Sequence, residues 1–161
     1  MRLLLIRHAK SSWSEPALAD HDRPLNQRGE RNVLTMSERL AIQEPSLEAA
    51  YSSTAVRAKA LATMISHRIG CPLILDQHLY TFEPRALLHY LLQLPTPYQH
   101  LAIVGHNPAI TTVVNQLSDM NIDNVPTAGV VAIDCDISQW QHLAQSIHRI
   151  DYVDYPKKEQ P

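Results

Sequence analysis

The chain has 161 residues, an apolar fraction of 45%, a charged fraction of 19% and a formal net charge of −2. That length suits one domain able to bury roughly two thirds of its unfolded surface. The near-neutral balance argues against the concentrated basic face of a nucleic-acid binder, and no apolar run approaches a membrane span, so neither nucleic acid nor membrane is expected as a partner.

Leu3-Leu4-Leu5-Ile6 is a short, continuous apolar run that predicts a buried strand over residues 2–7, handing into Arg7-His8. Residues 8–26 read as a long loop, because Ser11, Ser12, Ser14, Pro16, Asp20, Asp22 and Pro24 disfavour regular structure. A loop of that length inside a domain points to function. Val33, Met36 and Leu40 mark one face of a helix from 27 to about 41, stopped by Pro45. A second strand is expected at 47–52, after which Ser53 or Thr54 caps a helix carrying Val56, Ala60, Met64 and Ile65. Gly70-Cys71-Pro72 ends that helix, and 73–75 make a short strand. Pro84 suits the first turn of a helix bearing Leu87, Leu88, Leu91 and Leu92. Residues 101–105 predict the next strand, and Asn107-Pro108 predicts a helix start, N-cap followed by proline at N1, with Ile110, Val113, Val114 and Leu117 buried. Two last strands, 130–136 and 142–152, are expected to be joined through Ser138-Gln139-Trp140. Beyond Tyr155, residues 156–161 read as a frayed polar tail, leaving 1–155 as one domain. This order predicts an α/β fold: a three-layer sandwich with a mostly parallel central sheet, helices on both faces and a C-terminal antiparallel hairpin.

Ligands of open α/β sheets bind beyond the carboxyl ends of the strands. Three chemically suggestive segments fall at such ends: Arg7-His8, Ser53 to Arg57, and His106-Asn107. Helix mouths attract anions, and arginine is a permanently charged fork that matches phosphate oxygens. Arg7 and Arg57 with two helix mouths therefore make a dianion cage, and Gly105 is read as leaving room for a phosphate to approach. His8 can serve as the nucleophile that takes a phosphoryl group, with a protonated His106 across the cage stabilising its oxygens. Asn107 and Arg23 are further candidate phosphate contacts, Arg23 being equally able to pair with Asp20 or Asp22. Singly, each residue has a plainer role: a loop histidine, a solvated arginine, a helix cap. Ser11 reads as a turn former, Trp13 as core and Glu83 as a first-turn helix charge. The pattern as a whole carries the reading.

What is absent narrows the chemistry. There is no GxxxxGK[ST] and no GxGxxG, so phosphate has to be held by side chains and helix ends. His21, His67, His78, His89, His100, His142 and His148 show no HxxxH spacing, and Cys71 and Cys135 show no metal-type spacing and no reason to pair. No metal or other cofactor is expected. The four-residue apolar start runs into charge and is no signal-peptide core, so a reducing cytoplasm is the expected compartment.

RHAKSSW at 7–13, DRPLNQRG at 22–29, SSTAVRA at 52–58 and VGHNPA at 104–109 resemble the histidine phosphatase superfamily, specifically its small SixA-type phosphohistidine phosphatase branch. The resemblance runs in order from residue 2 to about 117. It implies an α/β sandwich, a catalytic core of Arg7, His8, Arg57 and His106, and phosphorylation of His8 during turnover. Larger relatives use a carboxylate after the middle strand as general acid; here Glu83 in Leu79-Tyr80-Thr81-Phe82-Glu83-Pro84 is displaced from that place. An alkoxide leaving group needs such an acid, worth roughly 10²–10⁴-fold, whereas phosphohistidine can leave as neutral imidazole. The expected substrate is therefore a histidine-phosphorylated protein. Two alternatives stand beside it: a phosphomonoesterase for a small phosphorylated metabolite, with Glu83, Asp22 or water as proton source, and a phosphate-binding module without turnover.

Overall fold

The N-terminal run Leu3 to Ile6 is wholly buried in strand β1 (Arg2–Arg7), because helices cover both faces of the sheet it sits in. The computed structural model describes residues 1–158. Five more strands complete the sheet: β2 (Ala49–Ser52), β3 (Leu73–Leu75), β4 (His100–Gly105), β5 (Val130–Asp134) and β6 (Arg149–Asp154), in the order β3-β2-β4-β1-β5-β6. The β3-β2, β2-β4 and β4-β1 pairs are parallel, and β1-β5 and β5-β6 are antiparallel. The predicted sandwich and terminal antiparallel pair are observed.

Strand alternation divides the core in two. Leu3 and Leu5 point to the face covered by α3 (Pro84–Leu92) and α4 (Ala109–Leu117). Leu4 and Ile6 point to the face covered by α1 (Gln27–Gln43) and α2 (Val56–Ile69). Each such side chain contributes about 1.5–3 kcal/mol by leaving water. Helix ends follow their local chemistry. The Asn26 side chain accepts from Gly29 N at 2.8 Å to start α1, Gly70 ends α2 at φ +82°, and Pro84 opens α3.

Several boundaries differ from the sequence reading. α2 begins after Ala55, not on a serine or threonine cap, although Ser53 Oγ still accepts from Ala55 N at 3.2 Å. α4 begins at Ala109 with Pro108 outside it, and Asn107 caps from one residue further back, accepting from Thr111 N at 3.2 Å. The strand expected at 142–152 divides into a 3₁₀ segment, Trp140–Gln145, and β6. Trp140 and Leu143 are the reason: both are buried with the α3 and α4 side chains, and the indole donates to Tyr98 O at 2.9 Å. In the tail, 156–158 form a turn held to α1 by Arg39, whose guanidinium donates to Asp154 Oδ1, Tyr155 O and Lys158 O; residues 159–161 lie outside the described residues.

The loop at 8–26 is more tightly fastened than its composition suggested. Ser11 and Leu25 form an antiparallel bridge, Ser12 N donates to Pro24 O and Asn26 N to Lys10 O. A single 3₁₀ turn, Asp20–Asp22, interrupts it. Gly29 of α1 lies against this loop so closely that a Cβ there would stand 2.1 Å from Lys10 O. Gly29→Ala is expected to destabilise the protein by roughly 1–3 kcal/mol, since neither backbone can yield; urea denaturation with an unchanged midpoint would refute this.

At the N-terminal ends of β1 and β4, buried Glu44 is bound by Arg2 Nη2 at 2.6 Å, Tyr152 OH at 2.8 Å and His100 Nε2 at 3.0 Å. Burial pushes its pKa up, but these partners win and hold it down at about 2. A depressed carboxylate adds stability above its unfolded value of 4.5 and loses it as pH falls toward 2. Glu44→Gln should therefore flatten the acid limb of a stability-versus-pH curve between those values, and an unaltered limb would count against the assignment.

Candidate active site

Three hydrogen-bond ladders deliver the site. His8 N donates to Gly105 O at 2.9 Å, continuing the β1-β4 ladder, and Ser53 N donates to Val104 O at 3.0 Å, continuing β2-β4. His8 O accepts from Ala128 N at 3.0 Å on the other side. His8 and His106 thus emerge from adjacent parallel strands, with ring centroids 5.0 Å apart.

The partners of His8 fix its tautomer. Nδ1 lies 2.7 Å from Ala9 O, which can only accept, so Nδ1 carries the proton and Nε2 keeps a lone pair. Nε2 faces Arg57 Nε at 3.4 Å. His106 is buried, with Nε2 2.8 Å from Ser53 Oγ and Nδ1 3.4 Å from Arg57 Nη2. A guanidinium N–H facing Nδ1 requires a lone pair there, so Nε2–H donates to Ser53. Burial pushes the His8 pKa down to about 4, with the charges of Arg57, Arg7 and Arg23 adding to it. Burial and the neighbouring His8 and Arg57 take His106 to about 3. In the anion-free site burial, with the positive charge around it, therefore keeps His106 neutral.

Arg57, 1% exposed, occupies the centre. Beyond the two histidines, its Nη1 donates to Asp20 O at 2.6 Å and its Nη2 to Asp20 Oδ2 at 2.9 Å. Arg7 stands at the end of β1 opposite Gly105, donating from Nη1 to Val125 O at 2.9 Å and Asn124 Oδ1 at 3.2 Å, while its buried Nε has no partner. Arg23 pairs with Asp20, from Nε at 3.2 Å and Nη2 at 3.0 Å to Oδ1, and its buried Nη1 is also unpartnered. Two buried guanidinium donors without a partner, whose charges both act on His8, form a set able to bind an oxyanion.

Other expectations change. The Asn107 side chain is engaged within the protein: Oδ1 accepts from Thr111 N and Oγ1, and Nδ2 donates to Asn124 Oδ1 and Val125 O. All its bonding capacity is spent on α4 and on the segment that also receives Arg7. Trp13 is 76% exposed, not core, with the Arg23 guanidinium stacked 3.5 Å above its ring. Gly105 does not make room for phosphate, since a Cβ there would meet Ile110 and Leu79 at ordinary contact distances. Glu83 is exposed at the head of α3 and makes no capping bond.

Sequence reasoning passed over Asp20 as the hub of the cage, and over Tyr80 and Phe82. Tyr80 OH donates to Asp20 Oδ2 at 2.6 Å. Both rings pack against His106, at 5.3 and 5.2 Å between centroids. His21 Nε2 lies 2.9 Å from Thr54 Oγ1, fastening the 3₁₀ turn to the start of α2. The one sequence signal for this cluster was the length of the loop at 8–26.

The family description "Histidine phosphatase superfamily (branch 1)" matches residues 3–82. A Mycobacterium leprae protein is 29% identical over 150 residues, 86% of this chain and 91% of that one. Among solved structures, SixA of Agrobacterium tumefaciens aligns with TM-score 0.81 at 23% identity, covering 96% of this chain and 97% of that one. The protein histidine phosphatase SixA complexed with tungstate aligns at 0.77 and 17%, over 96% and 97%. A mycobacterial glucosyl-3-phosphoglycerate phosphatase complexed with VO3 aligns at 0.69 and 13%, over 94% and 97%.

In an NMR pH titration of the phosphate-free protein, His8 is expected to protonate near 4 and His106 near 3. Saturating inorganic phosphate should move His106 upward, because an adjacent anion favours imidazolium. A His106 that titrates near 6.5 in the free protein, and is indifferent to phosphate, would overturn this electrostatic picture.

Proposed function

We propose that this chain, whose residues 3–82 match the histidine phosphatase superfamily, is a phosphatase that hydrolyses phosphohistidine on a protein through a phospho-His8 intermediate. His8 Nε2 attacks phosphorus, the substrate N–P bond breaks, and the departing imidazole takes the bonding pair. Arg57 Nε and the unpartnered donors of Arg7 and Arg23 bind the equatorial oxygens, and His106 Nδ1 takes up a proton to join them. Water then attacks phosphorus, its proton passing to solvent or a phosphate oxygen, and His8 leaves. Because Nδ1 already holds a proton shared with Ala9 O, His8 departs as neutral imidazole. Asn107 serves this reading by holding the 124–125 segment that positions Arg7.

The observation that carries the choice of substrate is the state of the cage carboxylate. Burial pushes the Asp20 pKa up, but donors from Tyr80, Arg57 and Arg23 hold it well below the usual carboxylate range, so it has no proton to give near neutrality. The groups packed against His106 here are the rings of Tyr80 and Phe82. Such a site favours a leaving group that needs no proton from the enzyme. The glucosyl-3-phosphoglycerate phosphatase among the structural neighbours keeps a small phosphate ester as the second reading, with water as proton source.

A panel of histidine-phosphorylated carrier proteins and small phosphate esters tests the proposal. The expected kcat/KM preference for the carriers is at least about 10²-fold, the lower bound of what a missing general acid costs an ester. His8→Ala should abolish turnover with the fold intact, and rapid quench of the wild type should trap an acid-labile, base-stable label. Comparable turnover of carrier and ester would favour the metabolite reading, and a fully active His8→Ala would refute the intermediate.

A further inference from the structure

The reaction above uses Asp20 for nothing, yet its carboxylate takes donors that the phosphoryl group needs. Arg57 Nη2, which faces His106 Nδ1 at 3.4 Å, gives its 2.9 Å bond to Asp20 Oδ2. Arg23 gives Nε and Nη2 to Asp20 Oδ1, leaving only its buried Nη1 free. A phosphoryl group seated between the two imidazoles must draw on the same guanidinium edge. Building on the phosphatase reading, we propose that Asp20 is a resident counter-anion that shares Arg57 and Arg23 with bound phosphate, weakening the grip on inorganic phosphate and so hastening product release.

Three observations favour this over a merely structural role. The 3₁₀ turn is anchored without the carboxylate, by Arg57 Nη1 on the Asp20 carbonyl at 2.6 Å and by His21 on Thr54. The Asp20 side chain is 42% exposed, so it has room to yield to a competing anion. The charge balance also fits. Arg7, Arg23 and Arg57 less Asp20 leave two positive charges, because both histidines are neutral in the free site. Without the Asp20 carboxylate the cage would present one more uncompensated positive charge and hold a phosphate dianion more firmly.

Asp20→Asn keeps the shape and removes the charge; Asp20→Ala removes the side chain but leaves the carbonyl on Arg57; Asp20→Glu restores the charge. Calorimetric titration with inorganic phosphate is expected to give a Kd about three- to fivefold lower for both neutral variants, roughly the weight of one screened charge, and near wild type for Asp20→Glu. Phosphate inhibition of phosphohistidine turnover should strengthen in parallel. Unchanged or weaker phosphate binding in both neutral variants would overturn the proposal. The binding arm stands apart from turnover: a wild type that binds phosphate without hydrolysing any phosphohistidine carrier refutes the functional reading, while the Kd series still decides the role of Asp20.

Discussion

Taking a guanidinium out of water costs several kcal/mol unless its N–H groups are met by acceptors, and the structure buries Arg57 more completely than any other charged side chain of its size. Much around the cage follows from meeting that cost. The Asp20 carbonyl and carboxylate accept two of its edges, and the lone pairs of His8 Nε2 and His106 Nδ1 lie along the rest. The same contacts that make Arg57 tolerable fix both imidazole tautomers. They leave the His8 Nε2 lone pair facing the Arg57 guanidinium. Burial also sets the acidity of both rings, because positive charge in a low-dielectric site opposes imidazolium. A phosphoryl group reverses that field, so ligand arrival and protonation of His106 are linked.

The sheet makes this economy of side chains possible. β1 lies between parallel β4 and antiparallel β5, so its C-terminal end meets the end of β4 and the turn that enters β5. His8 is bonded through its main chain to both neighbours, at Gly105 and Ala128. Its ring therefore has little freedom beyond its side-chain torsions. With four glycines and no phosphate loop in the sequence, anion binding falls to side chains. Each of those chains then needs support of its own: Ser53 for His106, the 124–125 segment for Arg7, Trp13 and Asp20 for Arg23.

What the sequence revealed and what it hid divide along physical lines. Strands buried on both faces write themselves as unbroken apolar runs, and amphipathic helices as 3.6-residue stripes, so β1, β4, α1 and α4 were legible within a few residues. The ends of those strands were legible too, which is why Arg7, His8, Arg57 and His106 stood out. The region 140–145 misled because a buried Trp140 and Leu143 look the same in a strand or in a 3₁₀ segment packed under α3. Trp13 misled for a related reason. An indole is usually worth burying, but one face of this ring is occupied by a guanidinium and the loop that carries it lies on the surface. Asp20 was invisible as a hub because an acidic loop residue has no periodicity, and its partners Arg57 and Tyr80 are 37 and 60 residues away.

The charge of Asp20 bears on the chemistry as well as on binding. A carboxylate beside a developing oxyanion is ordinarily a liability, since like charges oppose each other at short range. Here it is separated from the reacting atoms by the guanidinium it neutralises, so the repulsion is screened and the donor geometry is kept. The same neutralisation keeps Asp20 from acting as an acid: a carboxyl held by Tyr80, Arg57 and Arg23 is ionised wherever the His8 ring is neutral. The counter-charge of Asp20 and its inability to act as an acid are thus one feature of the structure. That is the feature on which the proposed preference for a phosphoramidate rests, since its leaving nitrogen can bring its own proton within the ring.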